Sequence, residues 1–228
     1  TPDDYINSVG GSFLYSSSNK INDYINFILN ASFRLKDSYS DLQSTNDPSY
    51  SDTSLTNYQF TPRVDHITSL FGKTANSTFG FDLQYADYKS YRKKNENAIP
   101  LHVYDAWKST QSIYVQQSIY LSKNITLGSG LRLQRNEIAI GDHLNTNAPD
   151  YAGWQKEHST LSDQETNYAI NIGLDHKVDN YLTLYGRFGS GFRFPNIDDR
   201  IGGSGDISLE LSTQTTKDFE IGSKFISD

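Results

Sequence analysis

Residues 181–225 read YLTLYGRFGSGFRFPNIDDRIGGSGDISLELSTQTTKDFEIGSKF, and the fold is decided there. Over 181–193 the side chains alternate. Leu182, Leu184, Phe188 and Phe192 share one parity; Tyr181, Thr183, Tyr185, Arg187 and Arg193 share the other. A strand sends successive side chains to opposite faces, so this segment has one apolar face and one polar, charged face. Pro195 and Asn196 end it, because proline brings no ladder N–H. A loop rich in Gly, Ser and Asp follows over 197–213. Alternation resumes at Phe219, Ile221 and Phe225, with Glu220, Gly222 and Lys224 between them. Two amphipathic strands joined by a long polar loop suit the wall of a membrane barrel.

The rest of the chain repeats the pattern. Alternating apolar sets occur at Val9, Gly11, Phe13, Tyr15; at Ile25, Phe27, Leu29, Ala31, Phe33, Leu35; and at Phe79, Phe81, Leu83, Tyr85. They recur at Ile113, Val115, Ile119, Leu121, at Ile125, Leu127, Leu131, Leu133, and at Tyr168, Ile170, Ile172, Leu174. Phe60 and Val64 flank Pro62, which predicts a bend or bulge. Short turns are expected at 17–20, 72–76, 122–124 and 178–180, and long polar loops at 37–57, 92–106, 141–165 and 195–213. The two kinds alternate strictly, as in outer-membrane barrels with short periplasmic turns and long extracellular loops. The fold class expected is all-β: about nine strands of an antiparallel transmembrane β-barrel, a part of a larger one.

Composition agrees. With no Cys there is no disulfide framework and no thiolate metal site. The net charge of -7 argues against a nucleic-acid surface, which needs a basic field. Hydrophobic residues make up 36% and never run to more than three in a row, too few for a membrane-spanning helix. Sixteen Tyr and twelve Phe in so polar a chain suit interfacial girdles and lipid contacts. The absence of Met, and of a signal peptide at Thr1, leads to the expectation of a piece of a longer protein.

The run Leu184-Tyr185-Gly186-Arg187-Phe188-Gly189-Ser190-Gly191-Phe192-Arg193-Phe194-Pro195-Asn196-Ile197-Asp198-Asp199 resembles the late-barrel signature of TonB-dependent outer-membrane receptors. That family shows a strand ending Gly-Phe-Arg-x-Pro-x-Leu-x-Glu, then Leu-x-Pro-Glu-x-Ser and Tyr-Glu-Leu-Gly-x-Lys. The later parts are matched by Leu211–Thr216 and by Phe219-Glu220-Ile221-Gly222-Ser223-Lys224. Thr213 stands for the proline, Gln214 for the glutamate and Asp199 for the first glutamate, which marks a divergent member. Tyr114, Gln116, Gly130, Leu131 and Arg132 resemble a second family pattern, so the likeness is strongest over 113–225. With roughly 22 strands in plugged transporters, residues 1–228 would form somewhat under half a barrel, without plug domain or TonB box.

The resemblance implies a receptor in the bacterial outer membrane that captures a scarce solute, such as a ferric siderophore or cobalamin-like compound. Uptake would be energised by the TonB complex through a plug domain. Partners would be outer-membrane lipid and a small-molecule ligand such as a metal chelate, with no nucleic acid, no cofactor and no enzymatic chemistry. Three other readings remain: a passive porin or channel, an outer-membrane lipase-type enzyme, and a soluble β-rich binding domain.

Several constellations that could carry chemistry have plainer roles. Gly189-Ser190-Gly191 is no nucleotide loop, because Phe194 stands where a third glycine belongs and no helix pattern follows. Asp142, His143, Asp150 and His158 fit no metal-ligand spacing. Tyr151 and Trp154, aromatic residues on a long outer loop, are candidate ligand contacts. Arg34, Arg132, Arg187 and Arg193 fall on the lumen parity; Arg187 and Arg193 are taken as ligand-binding candidates. No catalytic or metal-binding residue is expected. Asp198 and Asp199 are adjacent, hence point apart, and no nucleophile motif flanks a serine.

Overall fold

The computed structural model describes residues 4–41, 50–148, 157–201, 207 and 211–226. They form one sheet of nine antiparallel strands in chain order. The strands are β1 (Tyr5–Lys20), β2 (Ile25–Asp41), β3 (Tyr50–Leu70), β4 (Lys73–Lys93), β5 (His102–Tyr120), β6 (Ile125–Leu144), β7 (Leu161–Lys177), β8 (Leu182–Arg193) and β9 (Gln214–Phe225). One short helix, α1 (Ile197–Arg200), lies between β8 and β9. The sheet does not close: β1 and β9 are its two edges. No helix among the described residues is long and apolar enough to cross a membrane, a statement that does not bear on strands.

Register fixes the two faces. Phe33 pairs with Tyr58, Tyr58 with Tyr85, Phe81 with Ile113, Ile113 with Leu133, and Leu133 with Tyr168. These side chains share the outer face, where all but the half-buried Phe33 stay exposed, as a lipid-facing surface must. Phe33, Tyr58, Tyr85 and Trp107 form a continuous aromatic row, with ring centroids 5.1, 6.5 and 6.4 Å apart. Such rows mark the membrane–water interface. On β2 the apolar set runs from Ile25 to Leu35; ten steps of about 3.4 Å at a tilt near 40° give about 26 Å, the height of an outer-membrane belt.

The strands are longer than the belt. β3 and β4 have 21 residues each and β6 has 20, against the roughly 9–11 needed to cross. Above the aromatic row the pattern inverts. On β6, Leu131 and Leu133 face out while Arg132 and Gln134 face in; higher up, Arg135 and Glu137 face out while Ile138 and Ile140 are buried inside. There the outer face meets water and the inner face packs against chain that folds in from β8–β9. Ile138, Ile140, Tyr88, Tyr104, Ala106, Leu161, Ile197 and Ile201 form that core.

This inversion corrects several expected boundaries. Much of 37–57, 92–106 and 141–165 is strand, because polar residues on a water-facing outer wall read as loop. Residues 17–20 lie inside β1, and the turn falls at 21–24. Only Phe71 and Gly72, both at positive φ (54° and 72°), separate β3 from β4, so 73–76 is strand. Pro62 makes no bulge: the register to β2 and β4 continues on both sides with no inserted residue, and the β3–β4 ladder merely skips Thr61 and Pro62. The segment 197–213 contains α1, which the sequence pattern did not show.

The two motif tyrosines share one packing device. Tyr114 lies across Gly80 on the neighbouring strand, and Tyr185 lies across Gly222; a Cβ at either glycine would collide with the ring. A tyrosine laid over a cross-strand glycine pins the register on the concave face. On the opposite face, Leu29→Arg, near the middle of the Ile25–Leu35 belt, places a guanidinium near mid-membrane and should cost about 2–4 kcal/mol. Urea unfolding of the whole receptor refolded in lipid vesicles measures it; Arg132→Leu, pointing inward, should leave the lipid-dependent stability within about 1 kcal/mol.

Candidate functional site

Among the described residues, two recesses stand out on the concave face. The lower, of about 830 Å³, lies towards the tight turns and is lined by Arg63, Asp65, Asp82, Tyr114, Arg132 and Asn171 among others. Its charges are largely matched. Arg132 pairs with Asp82 at 2.9 Å, Ser112 donates to Asp82 at 3.2 Å, and Thr78 donates to Asp65 at 2.7 Å.

The upper recess, of about 1100 Å³, lies between the wall and the segment that turns inward after β8. Proline at 195 and the short β8 explain that turn: the wall ends at Arg193 while its neighbour β7 continues upward to Leu161. The inward segment is anchored by burial of Phe194, Ile197 and Ile201. Polar anchors reinforce it. The Arg200 guanidinium, 1% exposed, donates to Asp163 at 2.6 Å and to Glu165 at 3.4 Å, and the Thr213 hydroxyl donates to Glu165. The Lys108 ammonium donates to the Pro195 carbonyl at 3.1 Å. Asp199 accepts from the Asn196 backbone N–H at 2.9 Å, closing the first turn of α1, and from Arg193 at 3.4 Å. Asp198 instead bonds the Tyr88 hydroxyl. The two adjacent aspartates point to different partners, as their adjacency requires.

A second polar cluster braces the long-loop end. Asp142, fully buried, receives the His102 ring at 2.7 Å, and the His158 backbone N–H and ring at 2.9 and 3.1 Å. His102 stacks on Tyr104, centroids 5.8 Å apart. Burial pushes the Asp142 carboxyl up, but the hydrogen bonds from His102 and His158 and the His102 charge outweigh it, holding the carboxyl below its ordinary value. His143 lies elsewhere, on the outer face beside Asp105. Both imidazoles aim Nδ1 at the carboxylate, which makes a braced hydrogen-bonded cluster. No group of His, Asp and Glu among the described residues is arranged to hold a metal.

The sequence-derived candidates fall in three places. Arg193 lines the upper recess, paired with Asp199. Arg187 also faces in, opposite Glu220, but lower on the wall, 3.6 Å from Asp175 and 5.1 Å over the Tyr185 ring. Tyr185 in turn donates to Glu220 at 2.7 Å. Arg187 and Arg193 therefore do not converge. Tyr151 and Trp154 lie outside the described residues. Sequence reasoning passed over Lys36, Arg92, Lys108 and Arg200. Parity with Arg34 was the available signal for Lys36; nothing in the spacing of a polar loop marks Arg200 as a buried anchor.

Two outcomes follow from these contacts. Arg200→Met should loosen the inward segment by about 2 kcal/mol, below the range for a fully buried pair because Asp163 and Glu165 keep 31% and 22% exposure. Faster hydrogen exchange over 194–201, with the strand ladder unchanged, is the expected readout. For Asp142, a carboxyl held below about 3.9 in the fold contributes stability that is fully present above that pH and is lost as pH falls through the folded value. Exchange at the His158 amide, corrected for intrinsic rate, should rise on acidification below about pH 4, and Asp142→Asn should abolish that rise.

Comparison with known proteins agrees with this geometry. The family model described as TonB dependent receptor-like, beta-barrel matches residues 1–228. Among solved structures, the ferric-catecholate import receptor Fiu of E. coli K12 is similar at 11% identity and a TM-score of 0.77, over 99% of this chain and 39% of that one. The ferric citrate transporter FecA is similar at 11% identity and 0.75, over 98% and 33%. The siderophore receptor PiuA of Acinetobacter baumannii is similar at 13% and 0.70, over 98% and 38%. At such identities the likeness is one of fold, and the chain spans about two-fifths or less of each receptor's length. No curated protein matches the sequence. Nine antiparallel strands, a lipid-facing belt, a polar concave wall and a family match along the whole length place the chain in the TonB-dependent receptor-like β-barrel family.

Proposed function

We propose that this chain forms part of the wall and outer mouth of a bacterial outer-membrane receptor that captures a scarce solute. A ferric siderophore or a cobalamin-like compound is the expected class. Uptake is energised by the TonB complex through a plug domain held in the lumen. The observation that carries this reading is the inward segment 194–201, clamped onto the wall by Arg200 and Lys108, with a recess of about 1100 Å³ beside it. A passive pore works by keeping its lumen clear; a receptor needs concave, water-shielded walls with a few placed polar groups. The concave wall of this mouth, with Lys108 and Arg193 placed on it, supports the second. The neighbours named above, a ferric-catecholate import receptor, a ferric citrate transporter and a siderophore receptor, support the same class.

In this reading Arg193 contacts ligand from the recess wall, and Tyr151 and Trp154 contact it from the long loop between β6 and β7. Arg187, lower and already matched by Asp175, faces the plug side.

The test is uptake of radio-iron chelates and labelled cobalamin by cells carrying or lacking the parent gene, each with and without TonB. Accumulation of at least one solute should require both the gene and TonB, and Trp154→Ala should weaken binding by about tenfold or more. Entry that persists without TonB, and extends to unrelated small solutes, would instead make the protein a passive channel.

A further inference from the structure

The upper recess carries an imbalance that the lower one lacks. Five cationic side chains line it, Lys36, Arg92, Lys108, Arg132 and Arg193, against one carboxylate, Asp198. Arg132 is already matched by Asp82 and Arg193 by Asp199, while Asp198 is engaged by Tyr88. That leaves Lys36, Arg92 and Lys108 with no carboxylate in ion-pair reach among the described residues. Lys108 is partly buried and donates to a neutral carbonyl; Asp199 attracts it from beyond ion-pair reach, while Arg200 and Arg193 repel it.

Register puts these cations on the inner parity of three different strands. Lys36 stands opposite Leu55, Lys108 opposite Ala86 and Ile138, and Arg92 opposite His102. Each is rooted in a long strand that is paired on both sides at that position, so the backbone under the cationic wall is held before any ligand arrives. Like charges gathered in a half-enclosed recess repel more strongly than in open water, because the effective dielectric is lower. An anion that enters removes this repulsion and gains charge-assisted hydrogen bonds at once.

We propose that this recess is an anion-selective site, and that the captured solute bears at least two oxyanion groups, carboxylate or phosphate, held by Lys36, Arg92 and Lys108. The proposal rests on the uptake reading and adds to it the charge class of the solute. A recess of about 1100 Å³ takes a compact chelate of that kind whole.

The test uses the full-length receptor purified in detergent, with ligand binding followed by intrinsic fluorescence. Iron(III) citrate and iron(III) pyrophosphate serve as anionic probes, and cationic ferrioxamine B as the opposite charge. At least one anionic probe should bind, with affinity that falls as salt is added, and ferrioxamine B should bind far more weakly. The relative affinity of citrate and pyrophosphate then separates carboxylate from phosphate. The triple variant Lys36→Gln, Arg92→Gln, Lys108→Gln should lose about a hundredfold in affinity. Lys36→Arg, which keeps the charge, should hold it. Lys89→Gln, on the outer face and paired with Asp105 at 3.3 Å, should bind as the unaltered protein does. The proposal is overturned if neither anionic probe binds, if ferrioxamine B binds as tightly as they do, or if the triple variant matches wild type. Cells separate this from the uptake reading. Salt-sensitive anion binding without TonB-dependent entry would leave the recess assignment standing and remove the uptake reading; TonB-dependent entry of a neutral solute, indifferent to the triple variant, would do the reverse.

Discussion

A hydrocarbon layer offers no water to an unpaired N–H or C=O, so every backbone group that crosses it must find a partner in the protein. All else in this molecule follows from that constraint. Nine strands meet it by pairing in sequence order, and within each ladder the register carries no inserted residue from β1 to β9. Pro62 shows how narrow the tolerance is. It removes one ladder donor, yet the strand continues straight because its neighbours on both sides keep their register. The ladder also forces a strict period of two, and thereby one face for lipid and one for the lumen.

The same strands then leave the membrane, and their polarity turns inside out. Below the aromatic row of Phe33, Tyr58, Tyr85 and Trp107, apolar side chains point outward; above it, Tyr88, Tyr104, Ile138, Ile140 and Leu161 point inward. Two solvents act on one continuous strand, and each decides which face must be greasy. The inverted upper half supplies a small conventional core, and that core is what the segment after β8 docks onto. Arg200, Asp163 and Glu165 then hold it in place with charge. The mouth of the barrel is thus built like a soluble protein on a membrane footing.

This division also explains what could be read from the sequence. Within the belt the alternation is plain: Phe27 to Leu35, Phe79 to Tyr85 and Ile125 to Leu133 show their strands directly, and the alternation of tight and long connections shows the topology. Above the belt the strands 37–41, 50–57 and 161–165 resemble loops, since Ser, Thr and Asp are what a water-facing wall carries. The motif residues were legible as a pattern but not as a mechanism; Tyr114 over Gly80 and Tyr185 over Gly222 make sense only once neighbouring strands are aligned. Of the candidate site, Arg193 was legible from its parity. Lys108 and Arg92 were not, because their company in the upper recess depends on contacts between strands and a folded-in segment far apart in the chain. His102 and Asp142, 40 residues apart, form a buried pair by the same long-range route.

The central claim is a strand with lipid on one side, lumen on the other, and an exchange of faces at the membrane surface. It can be tested directly by a single-cysteine scan along β6, from Ile125 to Leu144, in the full-length receptor embedded in membrane and freed of any other cysteine. Lipid-phase quenching should peak at Ile125, Leu127, Leu131 and Leu133, with Thr126, Arg132 and Gln134 reached only from water. Above Leu133 lipid contact should vanish, and Ile138 and Ile140 should be shielded while Arg135 and Glu137 react freely. A scan without a period of two below Leu133, or lipid contact that persists at Ile138 and Ile140, would contradict the account.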